Sequence, residues 1–274
     1  MMEDRSQAQA QIKLLRNNIL FIATDFPWEQ DFFNHIISNA SKKKIYAFSS
    51  NAISYEIAKN QVDLFKPDII IHFSDEWGGE KQYDELSKLT KLYLRQYSHK
   101  GYPNYHNKFT IPLGYQTGMF DKLPINITLK PIIERKYKWS FIGDYSKNIE
   151  RREMVKCLQP LIPNKLGKAN PLEMKNIYCD SIFVPNARGN CNLDCFRLYE
   201  ATACGAIPLL VGPKDERQYL IKSQKNPPWL QFDNWNDAKN QIQTFDENEI
   251  QMLQNKNLSW WNSRLKFIIQ KISE

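Results

Sequence analysis

The chain has 274 residues, of which 42% are hydrophobic, and its formal net charge is +7 at pH 7. This length and hydrophobic content are enough for one large domain or two modest ones with real cores, so a disordered chain is excluded. The positive charge fits an anionic ligand, an acidic membrane surface or a nucleic acid, without choosing among them.

The ends and the cysteines indicate a cytoplasmic protein. Residues 1–12 carry both signs of charge and no apolar core, so they do not resemble a signal peptide, and the longest apolar runs have the length of buried strands. The five cysteines show neither a disulfide framework nor the paired Cys-x-x-Cys spacing of a zinc site. We therefore expect reduced thiols and no metal site.

The first half alternates short apolar strands with helical segments, in the order of a βαβαβ unit. The run IIIHF at 69–73 is typical of a strand buried on both faces of a parallel sheet. The segment 116–138 lacks periodicity and is predicted to be a linker. The predicted elements are strands over 19–24, 44–48, 68–73, 91–96 and 109–115, a helix over 29–40 and a helix ending at 65.

The second half repeats this order, so two doubly wound domains in tandem are predicted. In such α/β folds ligands bind beyond the carboxyl ends of the strands, here in a cleft between the domains. We expect the domains to be 1–125 and 126–274, with the last helix packing back on the first domain. The predicted elements are strands over 139–143, 164–167, 181–185, 207–212 and 229–232, helices over 148–161, 172–179 and 194–204, and a mostly helical remainder.

The segment 181–213 carries the strongest local pattern, with a strand, a polar loop, a helix, a glycine and a second strand. Asn192 or Asp194 is predicted to cap the helix. Gly205 is predicted to end it in the left-handed conformation. The helix start would supply free backbone amides and a positive dipole.

These features suit a diphosphate, with Arg188, Gly189 and Asn190 before the helix and Arg188 as the phosphate clamp. Glu200, farther into the helix, is placed to accept hydrogen bonds from a ribose. Arg197 and Glu200 lie three residues apart, and from spacing alone they fit a mere helix-surface ion pair equally well.

The string FVPNARGNCNLDCFRLYEATACGAIPLLVG resembles the nucleotide-sugar motif of exostosin-like glycosyltransferases and, more loosely, of fucosyltransferase-type enzymes. Upstream, WSFIGDYSKNIERREMV is similar to the family's opening strand, glycine and arginine-led helix. The resemblance covers about 138–213, reaches the first half only through IHFSDEW and IPLGY, and departs at Cys191 and Cys195, where Gly and Ser or Thr are expected. The matching positions are Gly143, Arg151, Arg188, Gly189, Arg197, Glu200, Gly205, Ile207 and Pro208.

The resemblance implies an α/β fold of GT-B type, in which two Rossmann-like domains face each other across a cleft. It implies a hexosyl- or pentosyltransferase of polysaccharide biosynthesis, with the donor sugar nucleotide in the second domain and a glycan or glycolipid acceptor in the first. Inversion by direct displacement is expected, with Arg151, Arg188 and Arg197 supplying positive charge, and with no metal and no cofactor besides the donor. The chain is short and lacks the stem and membrane anchor of animal exostosins, which favours a cytoplasmic enzyme of bacterial or viral style, and peripheral membrane contact stays open.

The general base is expected at the strand ends of the first domain. Glu76 and Asp75 follow a predicted buried strand and are the favoured candidates, and Asp25 follows the first strand. The alternative is that Asp75 and Glu76 simply begin a helix, where acidic residues are favoured. His72 is predicted to face the core, and Trp260 and Trp261 to be packing anchors of the closing helix.

Other functions stay open. A noncatalytic nucleotide-sugar or glycan-binding protein of this fold would show the same donor motif, and a sugar-nucleotide epimerase can share the architecture. A nucleic-acid-binding module is disfavoured, because no basic stripe, RNA-binding aromatic signature or helix-turn-helix pattern accompanies the charge of +7.

Overall fold

The computed structural model describes residues 11–16, 18–23, 28–38, 40, 42–74, 76–77, 81–120 and 127–274. The chain divides into two compact units. The first comprises the described residues of Met1–Gln30, Ile36–Pro112 and Ile268–Glu274, and the second comprises Asp31–His35 and Leu113–Phe267. The predicted domain boundary at 125/126 lies outside the described residues and stays a prediction.

The first unit is built on a six-stranded sheet in the order β1-β2-β3-β4-β5-β6. β1 is antiparallel to β2 and the other pairs are parallel. The four strands predicted between residues 19 and 96 are confirmed, the fifth is shorter than predicted, and β1 was not predicted. The strands are β1 (Gln11–Arg16), β2 (Ile19–Ala23), β3 (Ile45–Ser49), β4 (Ile69–Phe73), β5 (Leu92–Arg95) and β6 (Lys108–Thr110).

Apolar side chains on both faces explain why β3 and β4 form the centre of this sheet, since all their residues are buried. Helices α1 (Gln30–Ile36) and α2 (Tyr55–Phe65) and a 3₁₀ helix (Lys81–Leu89) follow β2, β3 and β4. The Ser54 side chain accepts a hydrogen bond from the amide of Ile57 and so caps α2. His72 is buried and stacks on Phe48 with ring centroids 4.5 Å apart, which confirms its predicted core position.

The second unit is built on a five-stranded parallel sheet in the order β11-β10-β9-β7-β8. All five predicted strands are confirmed, and the helix α6 was not predicted. The strands are β7 (Tyr137–Ile142), β8 (Asn164–Gly167), β9 (Ser181–Asn186), β10 (Ile207–Val211) and β11 (Leu230–Phe232). The helices are α3 (Ile149–Leu158), α4 (Pro171–Cys179), α5 (Phe196–Ala203), α6 (Lys214–Ser223), α7 (Trp235–Thr244) and α8 (Glu247–Ser273).

Aromatic side chains pack the part of α8 that belongs to the second unit, which ends at Phe267. Trp261 is 0% exposed and its ring lies 6.2 Å from that of Phe32. Trp260 meets Trp229 edge to face at 5.5 Å. Aromatic pairs of this kind contribute about 0.5–1.5 kcal/mol beyond the area they bury. The two tryptophans are packing anchors, as predicted.

Each unit is thus a mostly parallel sheet with helices, so the predicted fold class, α/β with two Rossmann-like domains, is confirmed. None of the described helices is long and apolar enough to cross a membrane.

Candidate functional site

The strand order of the second sheet places a switch point at its carboxyl edge, the position at which open α/β sheets have their ligand-binding crevice. After β7 the chain moves out to β8 and then returns to β9 on the other side of β7. The loops after β7 and β9 therefore diverge, and open α/β sheets bind ligands at such switch points. Gly143 follows β7 directly, and the loop 187–195 follows β9.

Two buried arginines meet at this crevice. The guanidinium carbon of Arg197 lies 4.1 Å from the centroid of the Phe141 ring, and that of Arg151 lies 5.7 Å from it. Arg197 is 9% exposed and Arg151 is 7% exposed. Neither forms an ion pair with any carboxylate in the described part of the chain. Burial and the charge of Arg197 lower the pKa of Arg151, because both disfavour a second cation there.

Backbone carbonyl groups hold these two arginines in place. Arg151 donates from Nε to the carbonyl oxygen of Arg188 at 3.1 Å and from Nη1 to that of Asp144 at 2.8 Å. Arg197 donates from Nη1 to the carbonyl oxygen of Ala187 at 3.4 Å, while its buried Nε has no partner among the described residues. The carbonyl groups fix the geometry without cancelling the charge, so the crevice is prepared for an anion.

Gly143 lets Arg197 approach the end of β7. Its φ of +141° is one that residues with a Cβ rarely adopt, and a Cβ there would lie 3.3 Å from Nη2 of Arg197. Gly143, Arg151 and Arg197 are therefore brought together by the fold.

Arg188 has a different environment from the one predicted. Its guanidinium donates to Oε2 of Glu150 at 3.3 Å and to Oε2 of Glu216 at 2.8 Å. These two carboxylates, on α3 and α6, outweigh the cost of burial and raise the pKa of Arg188. As the structure stands, Arg188 ties its loop to two helices, and its charge is balanced by protein rather than open to a phosphate.

The amides of the loop are also engaged. The backbone N–H of Arg188 donates to Glu150 at 2.9 Å and that of Gly189 donates to the carbonyl oxygen of Asn192 at 3.1 Å. The side chain of Asn190 accepts a hydrogen bond from Lys147. Residues 188–190, which were predicted to bind the diphosphate, are therefore held by hydrogen bonds within the protein, whereas no described carboxylate pairs with Arg151 or Arg197.

The start of α5 also differs from the prediction. Cys195, with extended backbone angles and no capping side-chain bond, occupies the N-cap position instead of Asn192 or Asp194. Asp194 instead accepts a hydrogen bond from the Tyr199 hydroxyl at 2.6 Å. At the other end, Gly205 has φ +70° and ends the helix in the left-handed conformation, as predicted.

Glu200 is 4% exposed, and its Oε1 accepts a hydrogen bond from the backbone amide of Gln116 at 3.2 Å. Because Arg197 and Glu200 are both buried, they are not the helix-surface pair that spacing alone allowed. Every residue of α5 after Phe196 is buried, so the helix has no open polar face.

Of the predicted base candidates, the structure describes Glu76, which follows the carboxyl end of β4. Glu76 is half-buried two residues beyond Ser74, while Asp75 and Asp25 lie outside the described residues. Sequence reasoning missed Glu29, which stands in the same segment as Asp25, is 1% exposed and receives a hydrogen bond from the Gln96 side chain. An acidic residue shortly after the first parallel strand was the available signal, but its burial is not readable from the sequence.

Comparison with known proteins identifies a fold and no family. No protein-family model and no curated protein matches the sequence. Among solved structures, HepE of Anabaena in complex with UDP is similar with a TM-score of 0.51 and 8% identity, over 87% of this chain and 79% of that chain. HepE in complex with UDP and glucose is similar with a TM-score of 0.50 and 9% identity, over the same shares of 87% and 79%. At this identity the similarity shows the fold alone, which is the GT-B type predicted from the sequence.

Proposed function

We propose that the chain is a glycosyltransferase that moves a sugar from a nucleoside-diphosphate sugar to a hydroxyl group of a glycan or glycolipid. The observation that carries this proposal is the pair of buried guanidinium groups, Arg151 and Arg197, beside Gly143 at the switch point of the second sheet. Two desolvated cations that have no carboxylate partner among the described residues favour a polyanion, and a diphosphate offers enough charge and acceptor oxygens for both.

Glu200 supplies the second element of the proposed donor site. A buried carboxylate on the helix that follows β9 is a suitable acceptor for ribose hydroxyl groups, as acidic residues are in other nucleotide sites. The UDP complexes of HepE, which shares the fold, make UDP the first nucleotide to test.

The proposed reaction is direct displacement at the anomeric carbon, with inversion. Arg151 and Arg197 stabilise the departing diphosphate, so the step needs neither a metal nor a cofactor besides the donor. The contacts of residues 188–190 hold the loop in which the carbonyl group of Ala187 accepts the hydrogen bond from Arg197. Arg188 would bind a donor phosphate by giving up one of its two carboxylate partners. The proposal keeps a base on the first unit, with Glu76 and Asp75 as the candidates that the sequence named, and a cytoplasmic location.

Calorimetric titration with UDP, GDP, dTDP, ADP and CMP tests the donor site. We expect one nucleoside diphosphate to bind, and we expect the Arg197→Met variant to bind it at least tenfold more weakly. Arg135→Met is the matched control, because Arg135 is also buried but donates to the carbonyl oxygen of Ser181 at the amino edge of β9. If the folded protein binds none of the four nucleoside diphosphates, the proposal fails.

Release of the nucleotide from its sugar conjugate then separates the remaining functions. Transfer or slow hydrolysis of the bound donor supports the transferase, because both break the bond between the anomeric carbon and the phosphate. Binding without any turnover would favour a noncatalytic sugar-nucleotide protein, and isomerisation of the sugar on the intact nucleotide would favour an epimerase.

A further inference from the structure

A chain of hydrogen bonds joins four loops at the carboxyl edge of the first sheet. Nδ2 of Asn51, after β3, donates to the carbonyl oxygen of Ser74 at 3.4 Å. The amide of Ser74, after β4, donates to Oε1 of Gln96 at 3.1 Å. The side chain of Gln96, after β5, bonds to Glu29, which lies between β2 and α1. Glu29 is thus the end of a polar network at the edge where parallel sheets bind substrates.

The backbone of Gln96 is held by the buried side chain of Arg95. Arg95 is 0% exposed and is paired with the buried carboxylate of Asp84. Its Nε donates to the carbonyl oxygen of Gln96 at 3.2 Å and to that of Tyr97 at 2.9 Å. The partner of Glu29 therefore belongs to a rigid framework, which orients the carboxyl group.

Backbone strain collects at the same edge. Ser74 has φ +60° and Tyr97 has φ +52°, both in the left-handed region although neither is a glycine. Such conformations cost about 1–3 kcal/mol each and are retained mainly at ligand and catalytic sites. Each of these residues lies one or two positions beyond the end of its strand, β4 or β5.

One carboxyl oxygen of Glu29 is buried without a hydrogen-bond partner among the described residues. The residue is 1% exposed, and its Oε1 has no hydrogen-bond partner among the described residues. Leaving a buried acceptor unsatisfied costs about 1–3 kcal/mol, so such an atom in a native structure calls for an explanation. A hydroxyl group of a bound substrate would satisfy it.

The protonation of Glu29 suits this use. Burial raises its pKa to about 7, while hydrogen bonds from Gln96 and from its own backbone amide act in the opposite direction. Among the described residues, the groups that change its pKa are thus uncharged, and Arg95, which holds the backbone of Gln96, is paired with Asp84. A base is most effective when its pKa is close to the working pH.

We propose that Glu29, rather than Glu76 or Asp75, is the general base of the glycosyl transfer. This inference rests on the function proposed above. In the step, the acceptor oxygen forms a bond to the anomeric carbon while its proton passes to Oε1 of Glu29. The bond between the anomeric carbon and the phosphate oxygen breaks, and its electron pair leaves with the nucleoside diphosphate.

The test compares Glu29→Gln, Glu29→Asp, Glu76→Gln and Glu56→Gln with the wild type. Glu56 is exposed in the first turn of α2 and controls for the loss of a carboxylate in the same unit. The probe is UDP-glucose, or the glucose conjugate of whichever nucleotide binds. Nucleotide release is followed from pH 5.5 to 8.5, and the Kd of the nucleotide is measured for each variant. Difference infrared spectroscopy of the carboxyl band follows the titration of Glu29 without requiring activity.

We expect Glu29→Gln to lower kcat at least 100-fold, with the nucleotide Kd within threefold of wild type and with loss of the carboxyl band that titrates near the pKa of about 7. Glu29→Asp should retain part of the rate and the rise of kcat with pH, and Glu56→Gln should match the wild type. Near-normal turnover in Glu29→Gln, or a large loss confined to Glu76→Gln, would overturn the inference.

The two proposals fail in different ways. Nucleotide binding without any release from the sugar conjugate by the wild type would overturn the role of Glu29 and leave the donor site standing. Failure of every nucleotide to bind would remove the proposed function itself, and this inference with it.

Discussion

The guanidinium group of Arg197 stacks on the ring of Phe141, with 4.1 Å between the guanidinium carbon and the ring centroid. A cation over an aromatic ring gains about 0.5–2 kcal/mol, depending on how far it is desolvated. This contact helps to keep the cation of Arg197 buried beside Arg151. Burial and the charge of Arg197 lower the pKa of Arg151. The pair is a charge imbalance that the fold maintains, and an anion that enters the crevice relieves it.

Replacing Arg197 by Met should therefore act on binding and on stability in opposite ways. The nucleotide Kd should rise about 10- to 100-fold, since a charged hydrogen bond contributes about 1.5–3 kcal/mol. The free energy of unfolding without ligand should not fall, because Met fills the space over Phe141 and removes a buried charge that no carboxylate in the described part of the chain pairs with. Calorimetry and urea denaturation measure the two effects, and a destabilised variant with normal binding would contradict the assignment.

Glu200 should discriminate the nucleoside from the phosphates. Because the proposed partner of Glu200 is the ribose, the Glu200→Ala variant should bind UDP about tenfold more weakly and leave the Kd of inorganic pyrophosphate unchanged. The Arg197→Met variant should bind both UDP and pyrophosphate more weakly. Competition titrations measure both constants, and an equal loss of pyrophosphate affinity in Glu200→Ala would show that the carboxylate acts through the fold, for example through its bond to Gln116.

Alanine substitutions at two glycines separate the effect of the contact between Gly143 and Arg197 from the effect of backbone strain. Gly143 and Gly167 have φ of +141° and +128°. A Cβ at Gly143 would lie 3.3 Å from Nη2 of Arg197, whereas a Cβ at Gly167 would meet no atom of the described residues within 4 Å. Alanine should therefore cost each site a similar backbone strain, of about 1 kcal/mol or more. We expect the nucleotide Kd to rise only in Gly143→Ala, as measured by calorimetry. Unchanged binding in that variant would separate Arg197 from the donor site.

Glu29 should make stability depend on pH in a defined direction. Its pKa is raised from 4.5 to about 7, so the folded state favours the neutral form. The stabilisation is complete below pH 4.5 and is lost as the pH rises through 7, by at most about 3 kcal/mol.

Urea denaturation of Glu29→Gln and wild type from pH 4.5 to 8 isolates this contribution. The difference between the two proteins is the relevant quantity, because burial lowers the pKa of His72 and gives that residue the opposite sign. Glu29→Gln should be the more stable protein at pH 8, and parallel curves would show that Glu29 does not titrate in this range.

The sequence predicted much of the fold, because buried parallel strands such as Ile69–Phe73 are continuous apolar runs. It did not predict β1, which pairs antiparallel at the edge of its sheet, or α6, whose start at Pro213 carries no capping side-chain bond. Both elements carry weak local signals, and their positions depend on the strands beside them.

The sequence named candidate residues of the donor site, but it did not show how they are connected and it did not name Glu29. Arg151, Arg197 and Gly143 were found through a family-like motif, and the fold brings them together. That Arg188 is held by Glu150 and Glu216 could not be read from spacing, because the three residues lie on different elements and meet only after packing. The same holds for Glu29, whose chemistry depends on burial by loops distant in sequence.

Release of nucleotide from UDP-glucose and from the corresponding conjugates of the other four nucleotides tests the central claim most directly. We expect the wild type to release one nucleotide and to transfer its sugar when a hydroxyl acceptor is supplied, and Arg197→Met to lose most of this turnover while Arg135→Met keeps it. Equal turnover in the two arginine variants, or no binding and no release with any donor by the folded wild type, would contradict a nucleotide-sugar site at Arg151 and Arg197.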